Sequence, residues 1–113
     1  MAEIRVRYGE VEVHLSALEQ AGALRGPVRV PLAAVVGARV VDDPWPELRG
    51  VRSPGTDVPG HVMLGTCRGD FGKDFCAVYE RRPTVIIDLE GAEFARLIVT
   101  QDEPRAAVRE LGY

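Results

Sequence analysis

The chain has 113 residues, 46% apolar and 27% charged, with a formal net charge of −3. Those figures describe an ordinary globular domain and exclude the disordered and membrane-spanning classes. A negative balance also counts against general nucleic-acid binding, which depends on a positive excess to displace counterions.

Ile4, Val6 and Tyr8 alternate with charged residues, and so do Val11, Val13 and Leu15, with the apolar parity switching at Gly9-Glu10. A two-residue turn there predicts a hairpin that pairs Tyr8 with Val11, Val6 with Val13 and Ile4 with Leu15, and sets Arg7 opposite Glu12. Ser16-Ala17-Leu18-Glu19 fits a capping box and predicts a short helix near 16–25, with Leu18, Ala21 and Leu24 facing the core and Gly26 ending it. A brief strand over 27–31, one helical turn over 31–35 and a β-branched strand over 36–41 follow.

From Asp42 to Gly60 periodicity fades. Pro44, Pro46, Pro54 and Pro59 interrupt the segment, which also holds the only tryptophan. It reads as a long loop, and such loops are functional or else pack as a covering flap. A β meander is then expected over 61–67, 74–80, 84–90 and 93–100. Val85-Ile86-Ile87, apolar on both parities, predicts a strand covered on both faces. Pro104 behind Asp102-Glu103, with Ala107, Val108 and Leu111 as a stripe, predicts a closing helix near 103–111. The fold class is therefore mostly β: one domain, 1–113, with about seven or eight antiparallel strands curled into a bent, partly open barrel.

Val28-Arg29-Val30-Pro31-Leu32-Ala33-Ala34-Val35 resembles the strand, proline, helical turn and strand of the bacterial pleckstrin-homology-like domains, and Phe94 to Leu111 looks like their last strand and C-terminal helix. Trp45, Leu48-Arg49-Gly50, Pro54-Gly55-Thr56, Gly65-Thr66 and Lys73-Asp74-Phe75 look like a stand-alone actinobacterial branch. The resemblance implies two nearly orthogonal sheets plugged by the helix, and a scaffold that elsewhere binds lipid head groups, peptides or proteins or self-assembles. The phosphoinositide-binding version has a basic first hairpin, where this chain has Tyr8-Gly9-Glu10-Val11-Glu12.

No motif points to catalysis. Gly72-Lys73 hints at a phosphate loop, but the first glycine of that pattern falls on Cys67 and the magnesium-binding hydroxyl is replaced by Asp74. His14, His61, Cys67 and Cys76 match no zinc spacing, so neither metal nor cofactor is expected. His61 and Cys67 share a strand face about 20 Å apart, too far for thiol activation. The best functional cluster is Trp45, Arg49, Arg52, Asp57 and His61, joined by Lys73 and Asp74, because tryptophan and arginine on a long loop are what a binding hot spot favours. Its structural alternative is a tryptophan tucked under the loop.

Val28, Val30, Val36 and Val40 are read as an exposed strand edge that invites pairing with another copy. The expectation is a non-enzymatic binding or assembly module that recognises a protein, a peptide or itself through the 43–60 loop or a sheet edge. Two alternatives stand beside it: a ligand-binding or enzymatic barrel with a polar pocket at Arg49, Arg52 and Asp57, and a peripheral membrane module. Met1 to Arg5 lacks the apolar core of a signal peptide, and no apolar run approaches the ~20 residues of a spanning helix. A cytoplasmic protein with Cys67 and Cys76 as free, packed thiols is expected.

Overall fold

A computed structural model describes residues 1–113. The first hairpin joins β1 (Glu3–Arg7) to β2 (Glu10–His14), and its register differs from the expected one: Ile4 faces Val13 and Val6 faces Val11. Tyr8 and Gly9 form the turn, both at positive φ (52° and 73°), the type I′ geometry whose twist matches that of the strands. Tyr8 is thereby thrown into solvent, 96% exposed. Arg5 rather than Arg7 stands opposite Glu12, and Glu12 accepts from Arg29 Nε at 2.8 Å.

Helix α1 (Ala17–Ala23) has both halves of the capping box: Glu19 N–H donates to Ser16 Oγ, and Ser16 N–H donates to the Glu19 carboxylate. Its inward face is not the expected one. Glu19 and Ala23 are buried, whereas Leu18, Ala21 and Leu24 are exposed. The helix ends at Leu24 in the left-handed conformation, two residues before Gly26. Gly22 sets the separation from the sheet, since a β-carbon there would lie 3.0 Å from a Leu64 methyl.

Strand β3 (Val28–Pro31) completes a three-stranded sheet in the order β1-β2-β3. One 3-10 turn, Leu32–Ala34, carries the chain into β4 (Val35–Val41) of the second sheet. That sheet has the order β4-β8-β9-β7-β6-β5, with β5 Val51–Val58, β6 Val62–Gly69, β7 Gly72–Tyr79, β8 Thr84–Leu89 and β9 Arg96–Thr100. The β-rich class, the two sheets and the closing helix α2 (Pro104–Glu110) are as expected, and the large sheet stays open, as in a partly open barrel.

Three details differ. There are nine strands, because Val51–Val58 is a strand and not loop. Pro54 and a bulge between Arg52 and Gly55 sit on it, which only an edge strand tolerates. The last four strands do not form a simple meander: β8 is laid beside β4, and β9 returns into the gap, antiparallel to β8 and parallel to β7. Val28 and Val30 belong to an edge strand, but their side chains are buried; Val36 is the half-exposed one.

The large sheet is apolar on both faces. Leu64, Phe75, Ala77, Val85, Ile87, Leu97 and Val99 pack against the small sheet and the helices. Met63, Cys67, Cys76, Val78, Ile86 and Ile98 form a second core on the other face, capped by Trp45 with Val41 and Leu48. Val85-Ile86-Ile87 accordingly contributes to both. No helix is long and apolar enough to cross a membrane.

Candidate functional site

The second face of the large sheet brings the tryptophan together with Arg39, Arg49, Arg52 and Arg96. Strand pairing aligns Gly37, Asp88, Arg96, Asp74, Cys67 and Arg52 in one row across all six strands. Charges alternate along it. Arg96 Nε donates to Asp88 at 2.9 Å, and Arg49, reaching down from the 42–50 connection, makes a two-pronged contact with Asp74 at 2.7 and 3.0 Å. Arg39 joins the rim by donating to Glu47 at 2.9 Å.

The 42–50 connection is a flap pinned at both ends. At one end Asp43 accepts from Trp45 N–H at 3.0 Å and from Arg81 at 2.8 Å, and these two donors hold its carboxyl below the usual carboxylate range. Trp45 Nε1–H donates to the Glu80 carbonyl at 2.8 Å, and the indole, 8% exposed, lies over the second core. At the other end Arg49 stacks on Phe71, its guanidinium carbon 3.9 Å from the ring centroid, while binding an Asp74 that has no exposed surface. The Asp74 hydrogen bonds push the Arg49 pKa up against the opposing effect of burial. The tucked-under alternative for Trp45 is therefore the one the structure adopts.

The other candidates separate. Arg52 lies 5.5 Å from the Trp45 ring and meets Asp57 at 3.4 Å, a surface pair. His61 is exposed in the β5–β6 turn. Lys73 and Asp74, consecutive on β7, point to opposite faces, and Lys73 Nζ bonds Glu93 at 3.1 Å beside Phe94 and Arg25. Trp45, Arg49, Asp74 and Arg52 are thus brought together with Asp57 at their rim, while His61 and Lys73 stand apart.

A different surface was not legible. Glu19, 6% exposed, accepts from Ser16 N–H and from the Tyr79 hydroxyl. Burial works to raise its pKa, yet the bonds from Tyr79, Ser16 and Ala2 and the nearby terminal ammonium hold it below the ordinary value. Burial and the Glu19 charge push the Tyr79 phenol well up. This pair, a buried carboxylate and a half-buried phenol, fixes the roll of α1 and turns Leu18 and Leu24 outward. Only the dual role of Glu19 as cap and buried acceptor could have signalled it. In comparisons with protein-family models, curated proteins and solved structures, nothing matches this chain.

Proposed function

We propose that this protein is a non-catalytic binding and assembly module that associates with a second copy of itself through the outward face of α1. The observation that carries the reading is the inverted helix: Leu18 is 87% and Leu24 67% exposed, with exposed Ala21 between them, while the carboxylate of the same helix is buried. Scattered exposed hydrophobes are ordinary, but three at one-turn spacing on so short a helix form a patch of the kind partners cover. The charges that border Leu18, Glu80 and Arg82, pair with each other at 3.9 Å. Arg25 is drawn away to Phe94 and Glu93, so two copies meet there without like-charge repulsion.

The neighbouring edge strand β5 is held to the helix by Thr56 Oγ1, which donates to the Gly22 carbonyl at 2.8 Å. Pro54 and the bulge break its free edge, which favours the helix face over strand addition as the contact. None of the four surface cavities is lined by Arg49, Arg52 or Asp57, and the flap charges have counter-charges, which supports a covered sheet over a polar pocket. The pleckstrin-homology-like resemblance belongs to the same proposal. The strand, 3-10 turn and strand over 28–41 and the closing helix agree with it, and the parallel β7–β9 pair departs from it.

Light scattering across a concentration series tests the reading. The wild type should approach the dimer mass at high concentration, and the Leu18→Glu/Leu24→Glu variant should stay monomeric with an unchanged melt, since exposed substitutions shift stability by only about 0.5 kcal/mol. A wild type that is monomeric throughout, or a dimer indifferent to the double variant, overturns it.

A further inference from the structure

Beneath the flap, Cys67 on β6 and Cys76 on β7 are both free and have no exposed surface, and their sulfurs lie 3.4 Å apart. They are diagonal neighbours: Cys67 faces Asp74 and Cys76 faces Gly65, whose missing side chain leaves the space between the two thiols open. We propose that Cys67 and Cys76 are a reversible redox pair that closes to an intrachain disulfide, with small-molecule disulfides as the oxidant class and opening of the 42–50 flap as the gate.

A sulfur–sulfur bond is about 2.05 Å, so the two atoms must close by roughly 1.4 Å. Diagonal residues on paired strands have Cα atoms about 7–8 Å apart, at or beyond the disulfide limit near 7 Å, so the bond must draw β6 and β7 together. Strand β6 has room for this, because its outer neighbour is the bulged edge strand β5. A bond made under such strain is easily reduced, which is the property of labile disulfides rather than structural ones.

Cys67 is the attacking sulfur. The hydrogen bond from Cys76 and the charge of Arg52 favour its thiolate against burial and Asp74, whereas the same hydrogen bond and burial push the Cys76 thiol well up. In the first step Cys67 loses its proton to solvent and its sulfur attacks one sulfur of the oxidant, whose bond breaks to release one thiolate. Cys76 then loses its proton and attacks Cys67, releasing the second. Two thiols of the protein are oxidised to one disulfide, and the external disulfide is reduced to two thiols.

Folded, reduced wild type is incubated in a series of reduced-to-oxidised glutathione ratios, quenched by alkylation and mapped by mass spectrometry without reduction. The result expected is a Cys67–Cys76 cross-linked peptide lighter by two hydrogens, formed in monomeric, folded protein and reversed by dithiothreitol. Cys67→Ser should abolish it, while Cys76→Ser should trap the glutathione adduct on Cys67. Trp45→Phe, which keeps the apolar cover and removes the bond to Glu80, should speed closure about fivefold. Two unmodified thiols at the most oxidising ratio, or an adduct that never resolves to the intrachain bond, overturns the proposal.

Discussion

Replacing Arg49 by methionine is the perturbation that the flap geometry makes most quantitative. The substitution removes both bonds to Asp74, whose side chain has no exposed surface, and leaves a charged carboxylate under the flap. Arg96, its neighbour in the row, is already held by Asp88 at 2.9 Å. Stranding a buried charge costs about 3–5 kcal/mol, a large fraction of the roughly 5–15 kcal/mol that holds a domain together. The converse variant, Asp74→Asn, should cost less, about 1–2 kcal/mol, because an amide still accepts one bond and the Arg49 side chain, 33% exposed, reaches water. Arg49→Met/Asp74→Leu removes both charges and should recover most of the Arg49→Met loss, as replacing a buried pair by apolar groups often does. Urea unfolding read by tryptophan fluorescence measures the cycle. With a slope near 1.5 kcal/mol/M the Arg49→Met midpoint should fall by roughly 2–3 M. An Arg49→Met loss below about 1 kcal/mol, or a larger loss for Asp74→Asn, would refute the view that this pair pins the flap.

Two further outcomes follow from the packing. Gly65→Ala places a β-carbon 2.2 Å from the Pro54 carbonyl oxygen and 2.8 Å from Gly55 Cα, at φ +151°. Strain and overpacking together should cost about 3 kcal/mol or more, a fall in Tm of more than ~10 °C by thermal scan; an unchanged Tm would mean that β5 is not paired there. For Glu19, whose carboxyl is held low in the fold, the stabilisation is present above the unfolded value near 4.3 and is lost as pH falls through the lower folded value. Glu19→Gln should therefore lose about 1.5 kcal/mol at neutral pH, with the gap to wild type narrowing below about pH 4 in denaturant titrations. A gap independent of pH would contradict an ionised Glu19.

The legible parts of the fold were those with a local cause. Alternating or β-branched hydrophobes marked eight of the nine strands, Ser16 and Glu19 marked the start of α1, and Pro104 marked the start of α2. Strand β5 was hidden because its half-buried positions carry Arg52, Pro54 and Thr56 rather than hydrophobes, and its proline and glycine sit at a bulge. The insertion of β9 beside β7 leaves no local trace, since lateral order is set by which strands bury each other. At the candidate site, Trp45, Arg49, Arg52 and Asp74 do converge, yet residue type alone did not distinguish a hot spot from a pinned flap. That distinction lies in Asp74, a carboxylate buried where the parity of β7 put it. The outward turn of Leu18 and Leu24 was missed because their stripe looked like a core face, whereas the capping carboxylate and Tyr79 decided the roll of the helix.

The most direct measurement of the central claim is a concentration series of amide-resolved NMR spectra on the wild type. The account predicts that signals of Ala17–Ala23 and Leu24 shift or broaden as concentration rises while the flap at 42–50 stays still. Spectra that do not change with concentration, or changes confined to β4 or the flap, would contradict it.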